Sequence, residues 1–354
     1  MVCVKLGKDI MSYNTYYRRI NRIWMTGILI FGTIFFVIQV KFNTSGRHWW
    51  NNKSITIILN NLNIPISNKH GTRYTSGFYS HLKKNINHSC AFPPDNLNGF
   101  EPLNRSVLSM ASLINNFPFM KNGHYRPPKC TPVQKVAIIV PYRDRKDQLK
   151  VFLNNVIPKI HRQQLEFGIY LVQQVSGAAF NRGMLSNIGF VEAMSDMNYD
   201  CVVIHDVDIL PEDDRNLYIC TDNPIHMAVK VQQFDYQLPY EGFIGGVTTF
   251  SKAQYQEING FSNLFFGWGG EDDDLYRRIL YHDYKLIRPF EDFGICGSVL
   301  HKEALKSSDR RKYLSFSAET RRMDGLNNLT YNSLKKGKKP LFNYILVDIG
   351  QDND

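Results

Sequence analysis

Three short runs made almost wholly of apolar residues, 136–140 (VAIIV), 169–175 (IYLVQQV) and 201–204 (CVVI), are separated by stretches with helical spacing at 147–160 and 184–197. Strands without polar alternation are buried on both faces. When helices of that length join them, the arrangement that buries everything is a parallel sheet covered by helices. The chain therefore reads as α/β. Ligands of such sheets sit outside the carboxyl ends of the strands, so chemistry is sought just after each run.

Those residues are 141–145 (PYRDR) after the first run and 205–208 (HDVD) after the third. Arg143 and Arg145 on a strand-end loop offer forked donors to a diphosphate or a carboxylate. A solvated loop would carry the same residues. Asp206 and Asp208 point to one side of an extended segment, and their hard oxygens suit Mg²⁺ or Mn²⁺ bridging to phosphate. A turn-capping Asp pair is the plainer alternative. A third cluster is 267–274 (GWGGEDDD): three glycines around Trp268 permit a close bend, and four carboxylates open a helix over DLYRRILYHDY. Acidic residues favour helix N-termini, yet four exceed what capping requires. Trp beside carboxylates is a common way to hold a sugar, and His301 downstream could complete a metal site.

The net charge of +10 suggests nucleic acid until its distribution is read. Residues 1–100 hold the entire excess, while 101–354 carry 30 basic and 30 acidic side chains. A phosphate-tracking groove needs the excess on the folded part, so no nucleic-acid partner is expected. Residues 23–40 (IWMTGILIFGTIFFVIQV) form an 18-residue run without a charge, preceded by Lys5, Lys8, Arg18, Arg19 and Arg22. Its length and flanks read as an uncleaved signal anchor with the N-terminus cytoplasmic. The expected division is a tail at 1–22, a transmembrane segment at 23–40, a stem and lead-in at 41–123, and a catalytic domain at 124–354. Asn-x-Ser/Thr sites at Asn43, Asn52, Asn87, Asn104 and Asn328 all follow the run, as a lumenal placement requires. Five cysteines beyond it allow two disulfides and a spare thiol, with connectivity not readable from spacing.

Together PYRDR, FNRGMLSNIGF (180–190), HDVD, the IGGV around Gly245, GWGGEDDD, DGLNNLTY and VDIG resemble the animal β-1,4-galactosyltransferase family, in order from about Cys90 to Gly350. The resemblance implies a GT-A type Rossmann-like domain behind a type II Golgi membrane anchor. It implies donor contacts by Pro141, Arg143, Arg145, Phe180, Asn181, Arg182, Asp206, Val207, Phe243, Gly246 and Trp268. Acceptor contacts fall on Gly270, Glu271, Asp272, Asp273, Arg310 and Leu314, with Asp272 the catalytic base. Asp208 and His301 match Mn²⁺ ligands, with Mg²⁺ as a second candidate metal. Cys90 would pair with Cys130 and Cys201 with Cys220, leaving Cys296.

Three positions depart from the pattern: Ser298 stands where a Met ligates the metal, Gln233 where a Lys lies near the donor, and Arg311 where an aromatic packs on the acceptor. The resemblance implies inverting transfer of galactose from UDP-galactose to the 4-hydroxyl of a terminal GlcNAc on a glycoprotein or glycolipid. Phe243 occupies a donor-selecting position as neither the Tyr of galactose enzymes nor the small aliphatic of N-acetylgalactosamine enzymes. UDP-N-acetylgalactosamine is thus the alternative donor. An inactive Golgi glycan-binding protein and a glycoside hydrolase are the rivals from other classes, although a hydrolase leaves Arg143, Arg145 and Arg182 unexplained.

Overall fold

The computed structural model describes residues 89–290, 292–299 and 309–350, together with the backbone of 22–31, 34–43 and 56–58. The chain divides into two compact units, Met1–His70 and Gly71–Asp354. In the first, β1 (Arg22–Phe31), β2 (Ile34–Asn43) and β3 (Thr56–Ile58) form an antiparallel sheet in that order. Over 23–40, where a transmembrane helix is expected, the described backbone runs as two paired strands, with Phe31 opposite Ile34. The run is rich in Ile, Phe, Thr and Val, whose side chains suit a pleated strand as well as an apolar helix. Among the described residues no helix is long and apolar enough to cross a membrane.

The second unit is built on β5 (Lys135–Tyr142), β6 (Glu166–Gln174) and β7 (Cys201–His205). They pair in parallel, with β5 in the middle, as the apolar runs require. The connecting helices are α2 (Lys146–Arg162) and α3 (Arg182–Asp196). Along β5 the side chains alternate: Val136, Ile138 and Val140 join the core beneath α2, and Ala137 and Ile139 the core beneath α3. Both faces are dry, which is why the strands show no polar alternation. Helix α2 contributes Leu149, Phe152, Leu153, Val156, Ile157 and Ile160 at three- and one-residue steps, a single apolar stripe. Each such side chain stabilises the fold by roughly 1.5–3 kcal/mol.

The sheet is extended by β9 (Ile225–His226), β11 (Val247–Ser251), β13 (Asn332–Lys338) and β14 (Asn343–Asp348), giving the order β13-β14-β6-β5-β7-β11-β9. The two-residue β4 (His124–Tyr125) pairs with the start of β6. A smaller sheet sets β8 (Ile209–Pro211), β10 (Lys230–Val231) and β12 (Ile295–Ser298) beside the end of β7, in the order β10-β12-β8. The remaining helices are α1 (Met110–Asn116), α4 (Lys252–Glu257), α5 (Glu271–Tyr281), α6 (Arg310–Ser315) and α7 (Ser317–Thr320).

Residues 89–123, read as the lead-in, pack on the sheet domain: Leu113, Phe117 and Met120 join the α2 core. Arg162 ties the segment down by pairing with both Glu101 and the buried Asp214. Cys90–Cys130 and Cys201–Cys220 are disulfides, and Cys296 is a buried thiol whose ionisation burial opposes.

Candidate active site

The parallel strands place PYRDR and HDVD side by side. Pro141 is buried at the end of β5, and beyond it Arg143 and Arg145 are half-buried, Arg145 at the N-cap of α2. Arg143 donates to the Ala178 carbonyl at 2.7 Å and lies 5.3 Å from the centre of the Phe180 ring. The loop after β6 thus holds Arg143 at the strand ends.

Helix α3 begins at the same edge. Asn181 is fully buried and both ends of its amide are used: it accepts from Met184 N at 2.8 Å and donates to the Asn263 carbonyl at 2.7 Å. Its work is to cap α3. That cap aims Arg182, which donates through Nε to Asp206 at 2.6 Å and stands 3.8 Å from Glu271 Oε1. Burial works against the Arg182 charge, but Asp206 and Glu271 outweigh it and raise its proton affinity. One guanidinium therefore links the end of β7 to the start of α5.

At that end Val207 is buried, and Asp208 is half-buried with its carbonyl accepting from Val299 N at 2.8 Å. Ser298, one residue earlier, is paired in register with Ile209 and is 4% exposed, so the departing position stands next to Asp208. His301 lies outside the described residues, which contain no group of three His, Cys, Asp or Glu side chains able to hold a metal. The Asp208 carboxylate is a hard oxygen donor of the kind that suits Mn²⁺ or Mg²⁺. Behind the loop His205 and His226 are fully buried, and desolvation pushes them down to about 4 and about 3. They are neutral supports, His205 sharing a 2.8 Å hydrogen bond with the Tyr218 hydroxyl.

The acidic cluster reaches the strand ends from the start of α5. Gly267, Gly269 and Gly270 have φ of 84°, 99° and 99°, which side-chain-bearing residues resist, and this lets the chain turn sharply into α5. Trp268 is carried on the bend and is 56% exposed. A Cβ on Gly270 would meet the Phe265 ring at 2.8 Å and Arg310 Cβ at 3.3 Å, so the missing side chain is what lets α6 lie against the bend. This brings Arg310 to the cluster, and Leu314 follows half-buried, its carbonyl accepting from Arg277.

The four carboxylates do not act as a block. Asp274 turns into the core and pairs with Arg278 at 2.6 Å, both wholly buried, so it does not crowd Asp272 as a simple count suggests. Asp273 accepts from the Tyr240 hydroxyl at 2.8 Å. Glu271 and Asp272 stay at the start of α5, Glu271 3.8 Å from Arg182 and Asp272 close to Gly245. Burial, then the Asp272 charge, pushes Glu271 up to about 8, against the pull of Arg182. Burial also raises Asp272, to about 6, with Arg182 opposing and Asp273 adding. Glu271 Oε2 is buried with no hydrogen-bond partner.

Phe243 and Asp272 meet over Gly245. A Cβ there would lie 2.9 Å from the ring tip and 3.1 Å from Asp272 Oδ2. Gly246, at φ 88°, leaves no room for a Cβ against Ala228 at 2.9 Å, and its carbonyl accepts from Asp206 N at 2.8 Å. Two residues that the sequence reading passed over complete this wall. Tyr240 packs edge-on against Phe243 with ring centres 5.7 Å apart, and Arg288 donates to the Phe243 carbonyl at 3.0 Å. The proline before Tyr240 and the aromatic spacing to Phe243 were the available signal; for Arg288, 45 residues away, there was none. Gln233 and Arg311 are exposed.

Residues 90–221 match the family model for the N-terminal region of glycosyl transferase group 7, and residues 225–302 match that for the N-terminal domain of galactosyltransferase. A rat β-1,4-galactosyltransferase 6 is 40% identical over 80% of this chain and 76% of its own. The chain belongs to the β-1,4-galactosyltransferase family. A zebrafish β-1,4-galactosyltransferase 5 is 44% identical over 65% of this chain, and the match spans 61% of that relative's length. Among solved structures, the catalytic domain of Drosophila β-1,4-galactosyltransferase 7 with xylobiose is 28% identical, with a TM-score of 0.54, covering 62% of this chain and 95% of that one. A mutant of the same fly enzyme was solved with manganese, UDP-Gal and xylobiose, at a TM-score of 0.52. The fold is accordingly the GT-A-like mixed α/β fold of these galactosyltransferases.

Of the glycosylation candidates, Asn104 and Asn328 are exposed, with side-chain carbonyls accepting from Ser106 N at 3.0 Å and Gly325 N at 2.8 Å. Asn43 ends β2, and Asn52 and Asn87 lie outside the described residues.

Proposed function

We propose that this chain is an inverting, metal-dependent β-1,4-galactosyltransferase that moves galactose from UDP-galactose to the 4-hydroxyl of terminal GlcNAc on glycoproteins or glycolipids. The observation that carries the reading is the convergence of Asp272, Phe243 and Trp268 opposite a strand edge bearing Arg143, Arg182 and Asp208. A sugar nucleotide brings its own leaving group, so the protein must align the acceptor, take one proton and offset the departing charge.

In that reading Asp272 takes the proton of the acceptor hydroxyl as its oxygen bonds to the anomeric carbon. The bond from that carbon to the diphosphate breaks on the opposite face, and UDP leaves with the electron pair. Arg143 and Arg145 bind the diphosphate, and Trp268 covers the sugar. Asp208, with Ser298 beside it and His301 downstream, would hold Mn²⁺ or Mg²⁺, which supplies positive charge to the diphosphate. The manganese and UDP-Gal of the fly structure support this assignment. The run at 23–40 would tether the enzyme to the Golgi membrane with its catalytic unit in the lumen.

Donor choice rests on Phe243. Its ring keeps most of the bulk that excludes a 2-acetamido group but lacks a hydroxyl, a difference worth roughly ten- to two-hundred-fold in discrimination. The test measures kcat/KM for UDP-galactose and UDP-N-acetylgalactosamine on a GlcNAc acceptor with Mn²⁺, in the parent, Phe243→Leu and Phe243→Tyr. Galactose should be preferred in the parent, less so with Leu and more so with Tyr. A parent that favours N-acetylgalactosamine promotes the alternative donor, and no transfer from either donor promotes the glycan-binding reading.

A further inference from the structure

Residues 240–246, which lead into β11, form a turn and an irregular stretch with no strand pairing of their own. Such a segment keeps one shape only if its carbonyls find donors elsewhere in the fold. The half-buried Arg288 supplies two of them: its Nη2 donates to the Glu241 carbonyl at 2.5 Å and to the Phe243 carbonyl at 3.0 Å. The Gly245 carbonyl is held at 2.9 Å by Nε2 of the fully buried His226. Every second carbonyl from 241 to 245 thus rests on an Arg and His pair.

The two holders are joined to each other. Arg288 Nε donates to His226 Nδ1 at 3.3 Å, which leaves the His226 proton on Nε2, where the Gly245 carbonyl needs it. Burial keeps the imidazole uncharged, so that Nδ1 can accept. Backbone pairing puts the pair side by side: His226 N donates to the Ile287 carbonyl at 2.8 Å and Ile287 N to the Pro224 carbonyl at 2.9 Å, so residue 287 runs parallel to β9. Arg288 is therefore anchored on the sheet and grips the loop from there. What it fixes is the Phe243 ring, packed edge-on by His226, Phe234 and Tyr240 with ring centres 5.6, 5.4 and 5.7 Å away. The ring tip and Asp272 Oδ2 both stand within about an ordinary contact distance of the space over Gly245, at 2.9 and 3.1 Å from where a Cβ would lie.

We propose that Arg288, acting with His226, is the positioning residue for donor discrimination: by holding the carbonyls of 241, 243 and 245 it sets the Phe243 ring beside Asp272 at the place where a 2-acetamido group would have to fit. The inference rests on the donor reading of Phe243 and adds the residues that make that ring selective. They act through the ring, not on the sugar. A ring free to shift by an ångström would admit the larger donor, because discrimination by bulk is only as sharp as the wall is fixed. A merely structural Arg288 predicts something different, an equal loss with every donor.

The test has two readouts on the full chain: the fluorine NMR line of 4-fluorophenylalanine placed at 243, and kcat/KM for UDP-galactose and UDP-N-acetylgalactosamine with Mn²⁺ and a GlcNAc acceptor. Arg288→Met should shift or broaden the fluorine line. It should also lower the galactose preference by about five- to fiftyfold, mainly through faster N-acetylgalactosamine transfer, with KM for UDP-galactose within about threefold of the parent. Arg288→Lys should fall between the two, since one ammonium cannot serve both carbonyls and His226 at once; it also carries the comparison if thermal unfolding shows that Arg288→Met does not fold. In a Phe243→Leu background Arg288→Met should leave the donor ratio unchanged, because the group it positions is gone. An unmoved fluorine line, or an equal loss with both donors, overturns the proposal. A fluorine line that moves while Phe243→Leu itself leaves the donor ratio unchanged refutes the donor reading of Phe243, and the specificity role of Arg288 falls with it. In a parent that transfers neither sugar the proposed function fails, and the fluorine line alone decides whether Arg288 sets the ring.

Discussion

Replacing Glu271 by Gln should stabilise the protein, and increasingly so as the pH rises. Burial and the Asp272 charge push the Glu271 carboxyl from an ordinary 4.5 up to about 8. A raised carboxyl costs stability once the unfolded chain can ionise and the folded one resists, so the penalty opens near pH 4.5 and is complete above about 8. At pH 7, still below about 8, the part of the penalty already open corresponds to about 3 kcal/mol. Part of it is shared repulsion with Asp272, which leaves about 1–2 kcal/mol for Glu271 itself. The N-terminus of α5 works in the opposite direction, by less than about 1 kcal/mol. Gln keeps the shape and cannot ionise. Thermal unfolding of parent and Glu271→Gln from pH 5 to 9 should show a difference in Tm that widens towards alkaline pH, reaching about 2–8 °C. A difference that is flat with pH would refute the reasoning, because it would mean Glu271 ionises as readily folded as unfolded.

Asp272→Asn should lower kcat by about a hundred- to ten-thousand-fold while UDP affinity stays within a few-fold, since the amide keeps the shape but takes no proton. In the parent, kcat/KM should rise with pH through about 6 as Asp272 loses its proton, a limb absent from the Asn variant. Ser298→Met should raise the Mn²⁺ to Mg²⁺ activity ratio, because a thioether beside Asp208 is the softer donor; an unchanged ratio removes position 298 from the metal's surroundings. Arg278→Ala should cost about 3–5 kcal/mol by urea unfolding, since it leaves Asp274 buried and unpaired, and a loss below about 1 kcal/mol would show that Asp274 finds water.

What the sequence revealed was governed by how local each signal is. The runs at 136–140, 169–175 and 201–204 fall on β5, β6 and β7, with Val175 one residue past β6, and the helical spacings at 147–160 and 184–197 fall on α2 and α3 to within two residues. Strands buried on both faces and one-sided helices write their environment into neighbouring residues. The edges wrote little: β13 reads as a polar, lysine-rich loop, and its strand character comes from pairing with β14. At 23–40 apolar residues satisfy either period, so periodicity alone selects neither helix nor strand. The four carboxylates of GWGGEDDD read alike in the sequence, and their division into a pair near Arg182, an acceptor for Tyr240 and a core partner of Arg278 needed three dimensions. Arg310 reached the cluster through the resemblance, and the geometry adds the reason: two glycines leave the space its side chain fills.

The ends of the large sheet bear on how this molecule behaves in a crowded compartment. One end is β9, only two residues long, and the other is β13, exposed through Asn332–Lys336 and carrying Lys335, Lys336 and Lys338. A free sheet edge is an open invitation to a stranger's strand, and charge along it is a refusal. Lys336 and Lys338 are held by Glu192 and Asp196 of α3, so the cations stay posted at the margin while the acids that balance them sit on the chain's own helix. Even at high concentration, copies of this protein can pass edge to edge without knitting into fibres.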